Sequence, residues 1–306
     1  MALTTRVVHL MGTKISLQID HPDPEPLLDE LVSRLEDYEH RFSANDPTSE
    51  LMTITKQAGI APVKVDPELY SLIRIGYDNS IIQASNLNIA IGPLVQTWRI
   101  GFKDVKLPTP QEITEALALT NPYQIELNDQ EHTVYLAQPK MTIDLGSLAK
   151  GYFADLLADY LRNVDVRSAL LDLGGNVYAL GPMHDHEDGL WRIGIQDPTL
   201  PRGNYKKVVR IQNQSVVTSG IYERSLIVNG QKYHHILDTD TGYPVKTNVT
   251  SLTIISDKSL DGELWTTRLF GQPVEKIIST VDQLTNIEAI VITNQGEVWS
   301  SSGIEA

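Results

Sequence analysis

The chain contains no cysteine. That absence excludes disulfides, thiolate metal sites, lipid attachment through cysteine and cysteine nucleophiles. There is also no stretch of 18 apolar residues, so no transmembrane helix is expected. The opening stretch MALTTRVVHLMGTKISLQID alternates like a strand and has neither an apolar h-region nor a cleavage site, which argues against a secretory signal. A start at Met1 that runs directly into a strand fits a cytoplasmic protein. Positive charge is scarce: 25 Lys and Arg stand against 39 Asp and Glu, for a formal net charge of −14. The basic residues are scattered singly, apart from pairs such as Lys206-Lys207. Nucleic acid and anionic membrane are therefore not expected as partners. An anionic small ligand would need a metal or a local cluster of N–H donors. Neither GxGxxG nor a Walker pattern occurs, and there is no repeat, low-complexity run or linker.

What is present is enough for a substantial core: 306 residues, 41% of them hydrophobic. That size predicts one domain over residues 1–306 or two closely packed lobes. Alternation and β-branched runs predict strands near Val7–Ile19, Thr133–Leu145, Ala169–Leu180, Trp191–Gln196, Lys207–Gln212, Ser225–Asp238, Thr250–Ser256, Ala289–Thr293 and Glu297–Ser300. Helical spacing predicts helices at Pro26–Tyr38, Glu68–Ala84, Pro110–Leu119, Leu148–Arg162, Leu260–Phe270 and Val274–Leu284. Val228-Asn229-Gly230-Gln231 reads as a type I′ hairpin turn, and Asn294-Gln295-Gly296 as a second turn between Ile292 and Trp299. Strands joined by hairpins give a largely antiparallel, α+β fold.

Four segments can carry chemistry. IDLGSLAKGYFAD, residues 143–155, brings a carboxylate, a glycine turn and a lysine to a strand–helix junction, where free N–H groups suit an anion. Asp144 as an ordinary N-cap explains it equally well. In LLDLGGNVYALG, Gly174 and Gly175 interrupt a strand, as a bulge or a close backbone approach would. HHILDTDTGYP, residues 234–244, sets two histidines at a strand end beside an Asx-type turn. DGELWTTRLFG, residues 261–271, predicts a helix capped by Ser259, with Asp261 in its first turn as a dipole partner or a hard oxygen ligand. His184 and His186 have H-x-H spacing without a third ligand and read as solvated loop residues.

In order along the chain, these segments resemble the FAD:protein FMN transferase family (ApbE-like proteins). The resemblance covers nearly the whole chain and includes MGT at 11–13, FSANDPTSEL at 42–51, IGPLVQTWRIG at 91–101, GIQDP at 194–198 and VVTSGIYER at 216–224. It implies an α+β architecture related to the tunnelling folds, with a flavin cleft between two lobes. It implies that FAD is the substrate, that its FMN half passes to a Ser or Thr hydroxyl of an acceptor flavoprotein, and that AMP leaves. It further implies Mg²⁺ on the pyrophosphate, held by the backbone oxygen of Ser147, the carboxylate of Asp261 and a threonine hydroxyl, here Thr266. Asp144 and Lys150 would hold the flavin nucleotide. Met11, Asn45, Leu87, Asn88, Ile89, Thr218, Ser219 and Gly220 would line its pocket, and His235 would assist deprotonation of the acceptor.

Two positions depart from the family pattern. The expected threonine four residues after Asp261 is Trp265, and Thr266 at i+5 points about 140° away on a regular helix. A π-bulge would restore it; otherwise Glu263 or water would take its place. The family's aspartate before the GPL segment is Asn88. With water as acceptor the same site would be an FAD pyrophosphatase, and without chemistry a flavin-binding protein; both stay open on sequence alone.

Overall fold

The computed structural model describes residues 3–304. In chain order its first elements are β1 (Thr4–Leu10), β2 (Thr13–Asp20), α1 (Glu25–Phe42), α2 (Glu50–Lys56), β3 (Val63–Lys64), α3 (Pro67–Ser80), α4 (Gly92–Trp98) and α5 (Pro110–Leu117). Then come β4 (Ile125–Asn128), β5 (Thr133–Leu136), α6 (Ala149–Asn163), β6 (Ser168–Leu173), β7 (Asn176–Leu180), β8 (Trp191–Gln196), β9 (Tyr205–Ile211) and β10 (Gln214–Gly220). The last are β11 (Ser225–Val228), β12 (Gln231–His234), β13 (Val249–Ser256), α7 (Ser259–Leu269), α8 (Val274–Val281), β14 (Ile287–Thr293) and β15 (Val298–Ser300). The architecture is α+β. Eight strands form one antiparallel sheet in the order β1-β2-β6-β7-β10-β13-β14-β15.

The middle of this sheet is covered on both faces, so β13 and β14 are buried at nearly every position, the hydroxyls of Ser251, Thr253 and Ser256 included. Leu252, Ile254, Ala289 and Val291 face the layer of α7 and α8. Ile255, Ile290 and Ile292 face the β8–β9 hairpin, with Trp191 and Ile195. The largest core joins β2 and β6 to α1, α3 and α6, and Phe153 of α6 stacks on Tyr38 of α1 with ring centroids 4.7 Å apart. Helix α6 meets α7 at Gly151. A Cβ there would lie 2.6 Å from the Ser259 carbonyl oxygen and 2.9 Å from the Leu260 Cα, so only glycine permits the contact. Among the described residues no helix is long and apolar enough to cross a membrane.

Several elements differ from the expectations, mostly where a turn was taken for a continuous strand. Val7–Ile19 is a hairpin: Met11 and Gly12, at φ 54 and 68, turn β1 into β2. Gly174 and Gly175, at φ 71 and 94, likewise turn β6 into β7, so they are a hairpin turn and not a bulge. Ser225–Asp238 divides into β11 and β12 around Asn229-Gly230, both at positive φ, as the type I′ reading requires. The strand from Thr133 ends at Leu136; residues 141–145 keep the alternating burial of a strand but join no sheet. Helices α2 and α4 were not foreseen, being only seven residues each. Ser259 is the first residue of α7, not its cap.

Replacing Gly151 with valine should lower unfolding free energy by about 1–3 kcal/mol, the usual cost of overpacking a tight contact. Urea unfolding measures it. An unchanged midpoint would mean that the two helices have room to separate.

Candidate active site

The α6–α7 contact organises a chain of buried polar groups. Glu263 is 4% exposed and accepts hydrogen bonds from Lys150 Nζ and Asn176 Nδ2, each at 3.0 Å on Oε1. Asn176 Oδ1 in turn accepts from the Ser259 hydroxyl at 2.5 Å. The exposed N–H groups at the start of α7 are capped from α6: the Asp155 carboxylate accepts from Ser259 N at 2.7 Å and Leu260 N at 2.9 Å. Burial pushes the Asp155 carboxyl up to about 6, against those two hydrogen bonds.

Asp261 stands in the first turn of α7, half-buried, and its carboxylate has no hydrogen bond or ion pair among the described residues. Burial raises its pKa; Lys258 opposes the shift and Asp257 adds to it. The structure does not bring Thr266 to it. Helix α7 is an unbroken α-helix from Ser259 to Leu269, without the π-bulge that would rotate position 266 into line. Thr266 is fully buried and its hydroxyl donates to the Glu263 carbonyl at 3.2 Å. The Glu263 carboxylate receives both Lys150 and Asn176 on Oε1, which leaves Oε2 without a hydrogen bond among the described residues.

Upstream of α6, Asp144 forms an Asx turn instead of a helix cap. Its Oδ1 accepts from Gly146 N at 2.8 Å, while the helix begins at Ala149 with Leu148 in the cap position. Its backbone N–H donates to the Ile89 carbonyl at 2.9 Å, which ties this turn to residues 87–89. Burial raises the Asp144 pKa; the Gly146 N–H and the charge of Arg224 oppose that. Ser147, half-buried, completes the turn. Leu87 and Ile89 are core residues, each 1% exposed. Asn88 caps the short helical turn that follows, accepting from Ala90 N at 2.9 Å and donating from Nδ2 to the Thr120 carbonyl at 2.8 Å. A carboxylate could not make the second bond, so the amide is a structural fit at this position.

A cleft of about 410 Å³ opens beside the Asp144 turn, lined by Asn45, Gln96, Arg99, Phe102, Thr142 and Ile143 among others. The Thr142 hydroxyl is buried without a hydrogen-bond partner. Leu87 and Asn88 border a second concavity, of about 650 Å³, together with Thr120, Thr239 and Asp240. Met11 packs on the large core, its N–H held by Glu39 at 2.7 Å, and lines neither concavity. Thr218 spends its hydroxyl on Thr253 across the strand pair at 2.8 Å. Ser219 and Gly220 end β10 just before the β11–β12 hairpin.

That hairpin carries the histidines. His234 is 6% exposed, and its Nε2 lies 2.9 Å from the Val245 carbonyl. His235 is half-buried, with Nδ1 3.3 Å from the Arg224 carbonyl. A carbonyl only accepts, so Nδ1 carries the proton and Nε2 keeps a lone pair. Burial pushes the His235 pKa down to about 4; the carbonyl contact opposes this, while the charges of Arg224, His234 and Lys150 add to it. The ring is neutral at pH 7 and lies within electrostatic reach of Lys150 and Arg224.

Comparisons with known proteins point to one family. The model of the ApbE family matches residues 11–291. The chain belongs to the ApbE family. It is 41% identical over 293 residues to the FAD:protein FMN transferase of Klebsiella pneumoniae (strain 342), covering 96% of this chain and 90% of that protein. It is 36% identical over 288 residues to the FAD:protein FMN transferase of Treponema pallidum (strain Nichols), covering 90% and 80%. Its fold is similar to the crystal structure of the ApbE protein of Thermotoga maritima, with a TM-score of 0.90, 25% identity and coverage of 98% and 97%.

Of the residues expected at the site, the structure gathers Asp144, Ser147, Lys150, Asp261 and His235 around the α6–α7 contact and the hairpin, with Asn45 in the neighbouring cleft. Sequence reasoning gave no role to Arg224, Asp155 or Asn176, and took Glu263 only as a substitute metal ligand. Arg224 ends VVTSGIYER, Asp155 ends IDLGSLAKGYFAD and Asn176 follows the glycine pair. A polar residue at a motif's edge was the signal.

The buried histidine gives stability a pH dependence. The unfolded chain takes up a proton below the ordinary histidine value of 6.5, whereas the folded ring refuses it until about pH 4. Unfolding free energy should therefore fall as pH drops from 6.5 towards 4. Urea unfolding across that range should show a shallower fall in His235→Asn, and a slope equal to that of the parent would exclude the buried neutral ring.

Proposed function

We propose that this chain is an FAD:protein FMN transferase, which moves the FMN half of FAD to a Ser or Thr hydroxyl of an acceptor flavoprotein and releases AMP. The observation that carries the reading is His235: an imidazole kept neutral by burial, with its proton on Nδ1 towards the Arg224 carbonyl and no hydrogen-bond partner on Nε2 among the described residues. Nε2 takes the acceptor hydroxyl's proton as the oxygen attacks the FMN phosphorus, and the bond from that phosphorus to the AMP oxygen breaks. Lys150 uses one of its N–H groups on Glu263 and has two left for phosphate oxygens. One oxygen of Asp144 takes the Gly146 N–H, and the other is available to a donor on the flavin nucleotide.

The residues present suit a magnesium ion. Asp261 offers a half-buried carboxylate without a partner, and its helix turn abuts the segment that follows Ser147. Mg²⁺ takes few protein ligands and completes its shell with water, so the Asp261 carboxylate and the Ser147 backbone oxygen would hold it without Thr266. When bound it would neutralise charge on the pyrophosphate. Among the described residues no cluster of three or more His, Asp or Glu forms a stronger competing site. The proposal retains a cytoplasmic acceptor, such as a reductase, as the target.

Mass spectrometry of a candidate acceptor after incubation with FAD and Mg²⁺ should show a mass gain of FMN. Free FMN and AMP without an adduct would indicate a pyrophosphatase, and intact bound FAD a flavin binder. His235→Asn should slow transfer by about 10²–10⁴ with FAD affinity retained, the range for loss of a general base. If it does not, and His234→Asn does, the base is the other histidine. Asp261→Ala and excess EDTA should each abolish transfer; full activity in either would remove the metal from this position.

A further inference from the structure

The β11–β12 hairpin carries a second functional side chain. Its register pairs Ser225 with His234, and just beyond the ends of both strands the Arg224 carbonyl lies 3.3 Å from His235 Nδ1. The Arg224 side chain therefore leaves the backbone beside the His235 ring. Its stem is lodged against the backbone of Gly101, at φ 93, where a Cβ would come within 2.8 Å of Arg224 Cδ. Gly101 lies between Arg99 and Phe102, which line the 410 Å³ cleft.

No carboxylate claims this guanidinium. Arg41, Arg99, Arg192 and Arg202 each hold an acidic side chain. Arg224 is exposed and, among the described residues, makes no side-chain hydrogen bond or ion pair, in a chain with 39 acidic residues. Its charge nevertheless reaches inward, opposing the rise of the Asp144 pKa and adding to the fall of the His235 pKa. Lys150, the other cation here, already shares its charge with Glu263.

We propose that Arg224, held beside the cleft by its packing on Gly101, binds the pyrophosphate of FAD. This rests on the transferase reading above. A planar guanidinium presents paired N–H donors that match two phosphoryl oxygens, which an ammonium cannot reproduce. In the transfer step the acceptor oxygen bonds to the FMN phosphorus, its proton goes to His235 Nε2, and the bridging oxygen leaves with AMP carrying the electron pair. Arg224 would stabilise the charge that gathers on the phosphoryl oxygens during that exchange.

Calorimetric titration tests the contact without any acceptor protein. FAD and ADP, which share the pyrophosphate, are titrated into the parent chain, Arg224→Gln and Arg224→Lys at low and moderate salt. Arg224→Gln should weaken both ligands by about tenfold or more, and by the same factor, with a smaller salt dependence than the parent. Arg224→Lys should lie between the two. Unchanged affinities, or a loss for FAD without a matching loss for ADP, would overturn the assignment. If Arg224→Gln also lowers the melting temperature, Arg224→Lys decides: a lysine variant that melts like the parent and still binds both ligands more weakly supports the contact, and one that binds both like the parent overturns it. Because transfer plays no part in these measurements, an absence of FMN adducts would sink the transferase reading and leave the pyrophosphate contact standing or falling on its own.

Discussion

The contact between the first turns of α6 and α7 is the constraint on which the site depends. Gly151 lets the two backbones approach closely enough that Asp155 caps α7 and Lys150 reaches Glu263. Each of these groups would be costly to bury alone. A buried carboxylate without partners loses its hydration, and a pair of ions repays that loss only when further hydrogen bonds complete the geometry. Glu263 meets the condition by adding Asn176 to Lys150, and Asn176 adds Ser259. The network is therefore better understood as fixing positions than as adding stability. It holds Lys150 on one side and the turn bearing Asp261 on the other.

The hairpin solves a different problem. A histidine that takes a proton at neutral pH must not already carry one, and it must present the correct nitrogen. Burial and neighbouring positive charge secure the first condition for His235, and the Arg224 carbonyl secures the second. The same depressed pKa limits the strength of the base, so the acceptor hydroxyl must be made more acidic, or the leaving group better, by charge elsewhere in the site. That requirement links the hairpin to the α6–α7 contact: the histidine is useful only beside cations that stabilise the phosphoryl oxygens. The two neighbours take different surroundings, with His234 tied into the interior at Val245 and His235, just past the strand end, held at the Arg224 carbonyl.

Much of this was legible in the sequence, and what was missed has physical reasons. Helix α6 was readable because its apolar residues recur at helical spacing, and the β11–β12 turn because Asn229-Gly230 accepts positive φ at both positions. The hairpins at Met11-Gly12 and Gly174-Gly175 were not, because glycine inside an apolar run is equally compatible with a bulge. Short helices such as α4 carry too few residues to establish a period. At the site, Asp144 and His235 were legible through their motifs, while the partners that organise them were not. Glu263 and Asn176 are far apart in sequence and meet only because α7 packs over β7 and α6. The problem at Thr266 was visible as an offset of five residues, but the choice between a bulged helix and a lost ligand needed the path of the backbone.

The charge balance of the site brings these points together. A chain of net charge −14 repels a dianionic dinucleotide at long range, so affinity must come from short-range contacts inside a cleft where water does not screen them. At the candidate site Lys150 is balanced by Glu263, and Asp144 and Asp261 add negative charge that burial already disfavours. Arg224 has no counter-charge among the described residues. One guanidinium does not neutralise a pyrophosphate and two carboxylates together. On the proposed reading, a divalent cation held by Asp261 would remove the deficit: it would let that carboxylate ionise and would supply the positive charge that the protein surface withholds. The arrangement also discriminates. A ligand without a metal-binding pyrophosphate would meet the unbalanced carboxylates, and be held less well for the same electrostatic reason that favours FAD.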